Sequence, residues 1–324
     1  MITITVRVCG DYWANPEEVR SQLDAIAGTD SIVLDLQAEG PGLGSLGIID
    51  MLDDYCTKYH VDPAQISIDH WSNTEESVPY TVINPSMRSH FFDFSRNYWP
   101  EQITSSTHEY LFGFFIGRRT VPRLVALHYL FHKNNSLLSC LSTVNALPWK
   151  HQHSGVDLEL IENWIDADRA ELFCQWCESD PIRSLDGHSI RDQYRPGINT
   201  NLDILPFYSK FDIELVSESY TRGNTFFPTE KTIRPIAAAK PVLIYGPRKF
   251  LQRLKCLGFE TYHSIWDESY DQLEGPDRWL ALQHVIDFIV SMSESDRFQL
   301  LEKARLIAMQ NRQHLASMIG IKIK

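Results

Sequence analysis

Three short segments leave this chain little freedom over what it folds into. Phe211-Asp-Ile-Glu-Leu-Val-Ser217 is mostly apolar and reads as a buried strand, with Glu218 at its end. Thr229-Glu230-Lys231 then opens a short helix, with Thr229 as its N-cap. Lys240-Pro-Val-Leu-Ile-Tyr-Gly246 supplies a second buried strand. Strand, helix and strand at this spacing imply a parallel pair joined by a crossover, so the region belongs to an α/β sheet covered on both faces. The pattern also gathers a carboxylate, an ammonium and a helix N-terminus at neighbouring carboxyl ends, where open α/β sheets bind anions.

The same alternation recurs upstream. A strand over residues 2–8 leads through a polar loop, 10–15, into a helix opened by Pro16-Glu17-Glu18. A strand over 31–36 runs into a Gly-rich loop, 37–44, and then a helix over 48–59 with Ile48, Leu52 and Tyr55 on one face. A strand over 65–68 follows. Residues 84–107 lack a clean period and read as a crossover between units. The second unit opens with the continuous apolar run 110–117, then Arg118-Arg-Thr-Val-Pro-Arg123 and a helix over 124–131. Residues 157–177 carry a helical period, and 178–201 read as loop. A helix over 249–257 stops at Gly258, and helices over 277–292 and 296–318 close the sequence, the last capped by Ser293 with Asp296.

The expected fold class is α/β: two Rossmann-like domains facing each other across a cleft, with C-terminal helices. The expected divisions are a first domain, 1–105, a second domain, 106–292, and a last helix, 293–324, packing back on the first domain. With 30 Lys and Arg against 42 Asp and Glu, the 324-residue chain carries a formal charge of −12. That average field disfavours non-specific binding of nucleic acid or an anionic membrane. No apolar run approaches the roughly 20 residues of a bilayer span. The first residues alternate like a strand and lack the features of a signal peptide. The six cysteines are scattered, as expected of reduced thiols in a cytoplasmic protein. Cys174-Gln-Trp-Cys177 has metal or redox spacing, but a zinc site would need distant ligands such as His151 or His153, and no metal is expected.

Arg118, Arg119 and Arg123 lie between a buried strand and a helix, where an anion is favoured or where an Arg pairs a surface acid. Lys231 opposes the dipole of its helix, which makes sense if an external anion completes the site; the plainer alternative is an exposed lysine. Glu218 is either a hydroxyl acceptor for a ligand or a local cap. Residues 266–271, with Asp267, Glu268 and Asp271, could hold a divalent cation or sugar hydroxyls, or form a capped turn. Asp11, Glu39, Asp69 and His70 all follow expected strands, and any one could act as a general base. Gly40-Pro-Gly-Leu-Gly44 does not match the G-x-G-x-x-G dinucleotide fingerprint, which argues against an NAD enzyme.

Glu218-Ser219, Thr229-Glu230-Lys231 and Pro241 through Gly246 stand in an order and spacing similar to the donor domain of GT-B glycosyltransferases. The likeness is closest to the α1,3-fucosyltransferase type. Upstream, Phe114 through Arg123 resembles that family's strand, polar turn and phosphate-binding Arg. The resemblance covers residues 108–131 and 211–271. It implies a donor site of Arg118, Arg123, Glu218, Thr229, Glu230, Lys231 and Gly246, with Arg123 and Lys231 on the diphosphate and Glu230 near the ribose. Ser219 in place of Asn and Pro235 within the helix depart from the pattern, so guanosine and fucose specificity do not carry over.

The implied activity is transfer of a sugar from a nucleotide diphosphate donor to an acceptor hydroxyl, inverting, with no metal and no other cofactor. Glu39 is the first choice of base, with Asp11 and Asp69 behind it. The acceptor is expected to be a saccharide. A modified base of viral DNA, or a non-catalytic nucleotide-sugar-binding protein, are the alternatives.

Overall fold

The computed structural model describes residues 2–9, 12–13, 15–26, 31–36, 43–44, 46–70, 73–74, 78–83, 99–100, 109–116, 120–133, 136–140, 173, 205–218, 220–223 and 225–322. These residues form a mixed α/β structure with two parallel sheets and seven helices.

The first sheet is built from β1 (Ile2–Thr5), β4 (Ile32–Leu36), β5 (Ile66–His70) and β7 (Thr81–Ile83), all parallel and in chain order. The strand expected over 2–8 stops at Thr5, and a short antiparallel pair follows, β2 (Val8–Cys9) with β3 (Tyr12–Trp13). Helices α1 (Pro16–Ile26) and α2 (Ile48–Tyr59) make the crossovers. Because every step moves the same way across the sheet and such crossovers are right-handed, both helices fall on one face. There Val19, Leu23, Ile48 and Leu52 pack on Ile4, Leu34, Ile66 and Ile68. The opposite face carries exposed Thr3, Thr5 and Thr81 with half-buried Val33, Asp35, Ser67 and Asp69.

In the second sheet the strands are β8 (Tyr110–Ile116), β9 (Ser136–Cys140), β10 (Phe211–Ser217) and β12 (Val242–Tyr245), in the order β12-β10-β8-β9 and all parallel. From β8 the chain steps outward to β9 through α3 (Val121–Phe131); from β10 it steps the other way to β12 through α4 (Glu230–Ala237). Opposite steps place these helices on opposite faces, so β10 and β12 are buried almost throughout. At Gly113 an added Cβ would lie 2.8 Å from the Phe211 ring, so a side chain there would displace that ring from the sheet face. A two-residue antiparallel ladder between β6 (Asn73–Thr74) and β11 (Thr225–Phe226) ties the two units together.

Helices α5 (Phe250–Cys256), α6 (Gly275–Ser291) and α7 (Glu294–Ile319) complete the second unit. Ser293 caps α7 by accepting from the Asp296 N–H at 3.1 Å, as the sequence predicts. Along α7, Leu300, Leu301, Ala304, Leu315 and Ile319 belong to the second core, and Arg312 donates to Ala237 O on α4. Arg312 also donates to Pro100 O at 2.8 Å. No helix among the described residues is long and apolar enough to cross a membrane.

Pro235 does not stop α4 but leaves it at eight residues. Beneath it, Arg234 donates to Glu214 at 2.5 Å and to the Tyr208 hydroxyl at 2.6 Å, and Tyr208 donates to Glu214. Each charge thus has a partner where water is excluded. Lys240 is buried nearby and donates to Phe211 O at 2.6 Å. Burial pushes its pKa down to about 8 from the ordinary 10.5, against the pull of Asp212. Between these values the unfolded chain holds the proton that the native state has released, so stability rises with pH there. Lys240→Met should remove that rise in unfolding free energy; an identical pH profile in the variant would contradict the assignment.

Candidate functional site

The order of the second sheet reverses between β8 and β10, and a crevice beyond the carboxyl ends of such a pair is where open α/β sheets take ligands. The first sheet runs in simple order and has no such point among its described strands. Helix α3 starts directly beyond β8. Its N-cap, Thr120, is extended and makes no side-chain cap, Pro122 fixes the first turn, and no acidic residue lies in the first turn. The positive end of the helix dipole is therefore left unanswered by α3's own acids or N-cap side chain.

Arg123 sits in that first turn with 4% exposure. Its guanidinium crosses to the neighbouring strand end and donates to Glu218 O at 2.9 Å and Ser217 O at 3.4 Å. Two junctions far apart in sequence are thereby joined at one place. Glu218, 2% exposed, turns its carboxylate the other way. It accepts from the Thr229 N–H at 3.1 Å, the Thr229 hydroxyl at 2.6 Å and the Thr232 hydroxyl at 2.5 Å. Burial pushes the Glu218 carboxyl above its ordinary range, while the Lys231 ammonium and the two hydroxyls oppose that shift.

Thr229 caps α4 as expected, accepting from the Lys231 N–H at 3.3 Å, and it also accepts from Lys231 Nζ at 3.1 Å. Lys231 pairs with Glu230 at 3.1 Å. Burial works against ionisation of Glu230, yet Lys231 holds its carboxyl below the ordinary value. Glu230 thus answers part of the Lys231 charge within the first turn of α4. Glu230, placed near a ribose by the resemblance, has Lys231 as its immediate partner.

Gly246 lies just beyond β12, where an added Cβ would meet the Phe250 ring at 3.3 Å. Packing against α5 accounts for this glycine. The acidic run 266–271 resolves as a capped turn. Asp271 accepts from the Leu251 N–H at 2.9 Å and the Gln252 N–H at 3.0 Å, and pairs with Arg278 at 3.1 Å. Asp267 accepts from the Ser269 N–H, and Glu268 from the Tyr262 N–H, each at 2.8 Å. The N-terminus of α5 is filled by the protein's own carboxylate, so the metal or sugar role weighed for this run is set aside.

Asp69 and His70 lie within β5 rather than after it. Asp69 is the register partner of Asp35, and its Oδ1 is buried without a hydrogen-bond partner. Asp11, Glu39, Arg118 and Arg119 lie outside the described residues, as do His151, His153, Cys174 and Cys177. Among the described residues no group of three or more His, Cys, Asp or Glu is placed to hold a metal ion.

Three site residues went unremarked in the sequence. Thr232 falls one helical turn after Thr229, a spacing that could have flagged it. Ser217 and Thr221 flank Glu218, each 3% exposed with a buried hydroxyl oxygen that has no hydrogen-bond partner. Buried hydroxyls are ordinarily satisfied, so this pair marks polar capacity left over at the strand end. Comparison with known proteins finds no match: no family model, curated protein or solved structure is similar to this chain.

Proposed function

We propose that the chain is a nucleotide-sugar-dependent glycosyltransferase of GT-B type, holding the donor diphosphate beyond the carboxyl ends of β8 and β10. The observation that carries this reading is the convergence of Arg123, Glu218, Thr229 and Lys231 at the reversal of strand order among the described strands of the second sheet, beside an α3 whose N-cap Thr120 makes no side-chain cap and whose first turn has no acid. Four motifs that resemble a donor domain in sequence are neighbours in space. In the reaction, the bond from the anomeric carbon to the diphosphate oxygen breaks and its electron pair stays on the diphosphate. Arg123, Lys231 and the α3 dipole would stabilise that growing charge.

The acceptor oxygen bonds to the anomeric carbon from the opposite side, and its proton passes to a carboxylate of the first unit. Asp69 is the one of the three expected bases that the structure describes. The β6–β11 ladder, just after Asp69 and just before Thr229, supports a place for it on the acceptor side. The test is release of nucleoside diphosphate from a panel of nucleotide sugars, with and without saccharide acceptors. Acceptor-stimulated release from at least one donor is expected; no release from any would contradict the proposal.

A further inference from the structure

At the far end of α3 from Arg123, two histidines stand one turn apart. His128 and His132 occupy i and i+4, so both project from one side of the helix. Their Nε2 atoms are 3.2 Å apart, with ring centroids at 4.6 Å and planes at 75°. Two imidazole nitrogens bound to one tetrahedral zinc at about 2.05 Å would be about 3.3 Å apart, so the pair already has the bite of a chelate. The rings are also held: His128 packs edge-on against Phe173 at 5.4 Å, and His132 against Phe131 at 5.2 Å. His132 is exposed and His128 half-buried. A cation is further favoured here because the pair ends a helix, where the dipole is negative.

We infer that His128 and His132 form a binding site for a borderline divalent transition-metal ion such as Zn²⁺, with their two Nε2 atoms as ligands and the remaining positions open to water or an added ligand. Without the metal, one Nε2–H donates to the other nitrogen. Binding requires both nitrogens to present lone pairs, so that proton moves to the other ring nitrogen or to solvent. The site is independent of the diphosphate reading.

The test is calorimetric titration of the full chain with Zn²⁺ alone, for wild type, His132→Ala and His128→Ala. Loss of an outer-shell partner already weakens metal sites by roughly 10–100-fold, so loss of a ligand should weaken this one by at least about tenfold. His132 is exposed, so its replacement should leave folding and nucleotide binding intact. Supporting results are a Zn²⁺ event in wild type that both variants weaken. Equal Zn²⁺ affinity in wild type and His132→Ala, or no Zn²⁺ binding by wild type up to millimolar concentration, overturns the inference.

Discussion

Glu218→Ala is expected to destabilise the chain by about 3–5 kcal/mol, read as a lower urea midpoint with an unchanged slope. Among the described residues, the carboxylate is the only hydrogen-bond partner given to the Thr229 N–H, and it also receives two hydroxyls. When it is removed, the Thr232 hydroxyl can turn back to a carbonyl one helical turn earlier. The backbone N–H of Thr229, buried at 1% exposure, has no such choice. The attraction between the Lys231 ammonium and the Glu218 carboxylate is lost at the same time. Glu218→Gln keeps the shape and one acceptor oxygen and should cost less, about 1–2 kcal/mol. If Glu218→Ala lies within 1 kcal/mol of wild type, this residue does not hold the start of α4.

Arg123→Ala should slow sugar transfer by about 10²–10³-fold if the guanidinium meets charge that develops on the leaving diphosphate, as an oxyanion-hole donor does. The same side chain ties the end of β10 to α3, so some stability will be lost as well. The two effects separate experimentally. A purely structural role would lower the melting temperature and leave the turnover of the folded fraction unchanged. Arg123→Lys retains a charge but lacks the planar guanidinium and its additional N–H donors, and should recover only part of the rate. Turnover by folded Arg123→Ala equal to wild type would remove Arg123 from the chemistry.

Local structure was legible wherever periodicity and caps coincide. Helix α2 and strand β12 fall on the residues their apolar patterns mark, and Ser293 and Thr229 cap the helices they precede. What could not be read was pairing across long stretches of chain. Nothing local to Tyr110–Ile116 states that its neighbours are β9 on one side and β10 on the other, and that choice creates the reversal at which Arg123 reaches Glu218.

The polar face of the first sheet was hidden for a related reason. Thr3, Asp35 and Asp69 alternate with apolar residues, a pattern that gives one polar face but not what covers it. Sequence shows a charge and not its partner. Asp271 was open to a ligand or a capped turn and is found capping α5, and Lys231 is found paired with Glu230. The i, i+4 spacing of His128 and His132 was visible all along, but the convergence of their nitrogens is a matter of rotamers.

The most direct measurement of the central claim is calorimetric titration of wild type and Lys231→Ala with nucleoside diphosphates, each beside its monophosphate. One diphosphate is expected to bind wild type more tightly than its monophosphate. At about 100 times its dissociation constant it should add about 2.7 kcal/mol to unfolding stability, and Lys231→Ala should weaken it by about tenfold or more, a difference of about 1.4 kcal/mol. If no nucleoside diphosphate binds up to millimolar concentration, or one binds equally to wild type and Lys231→Ala, the β8–β10 junction is not a diphosphate site.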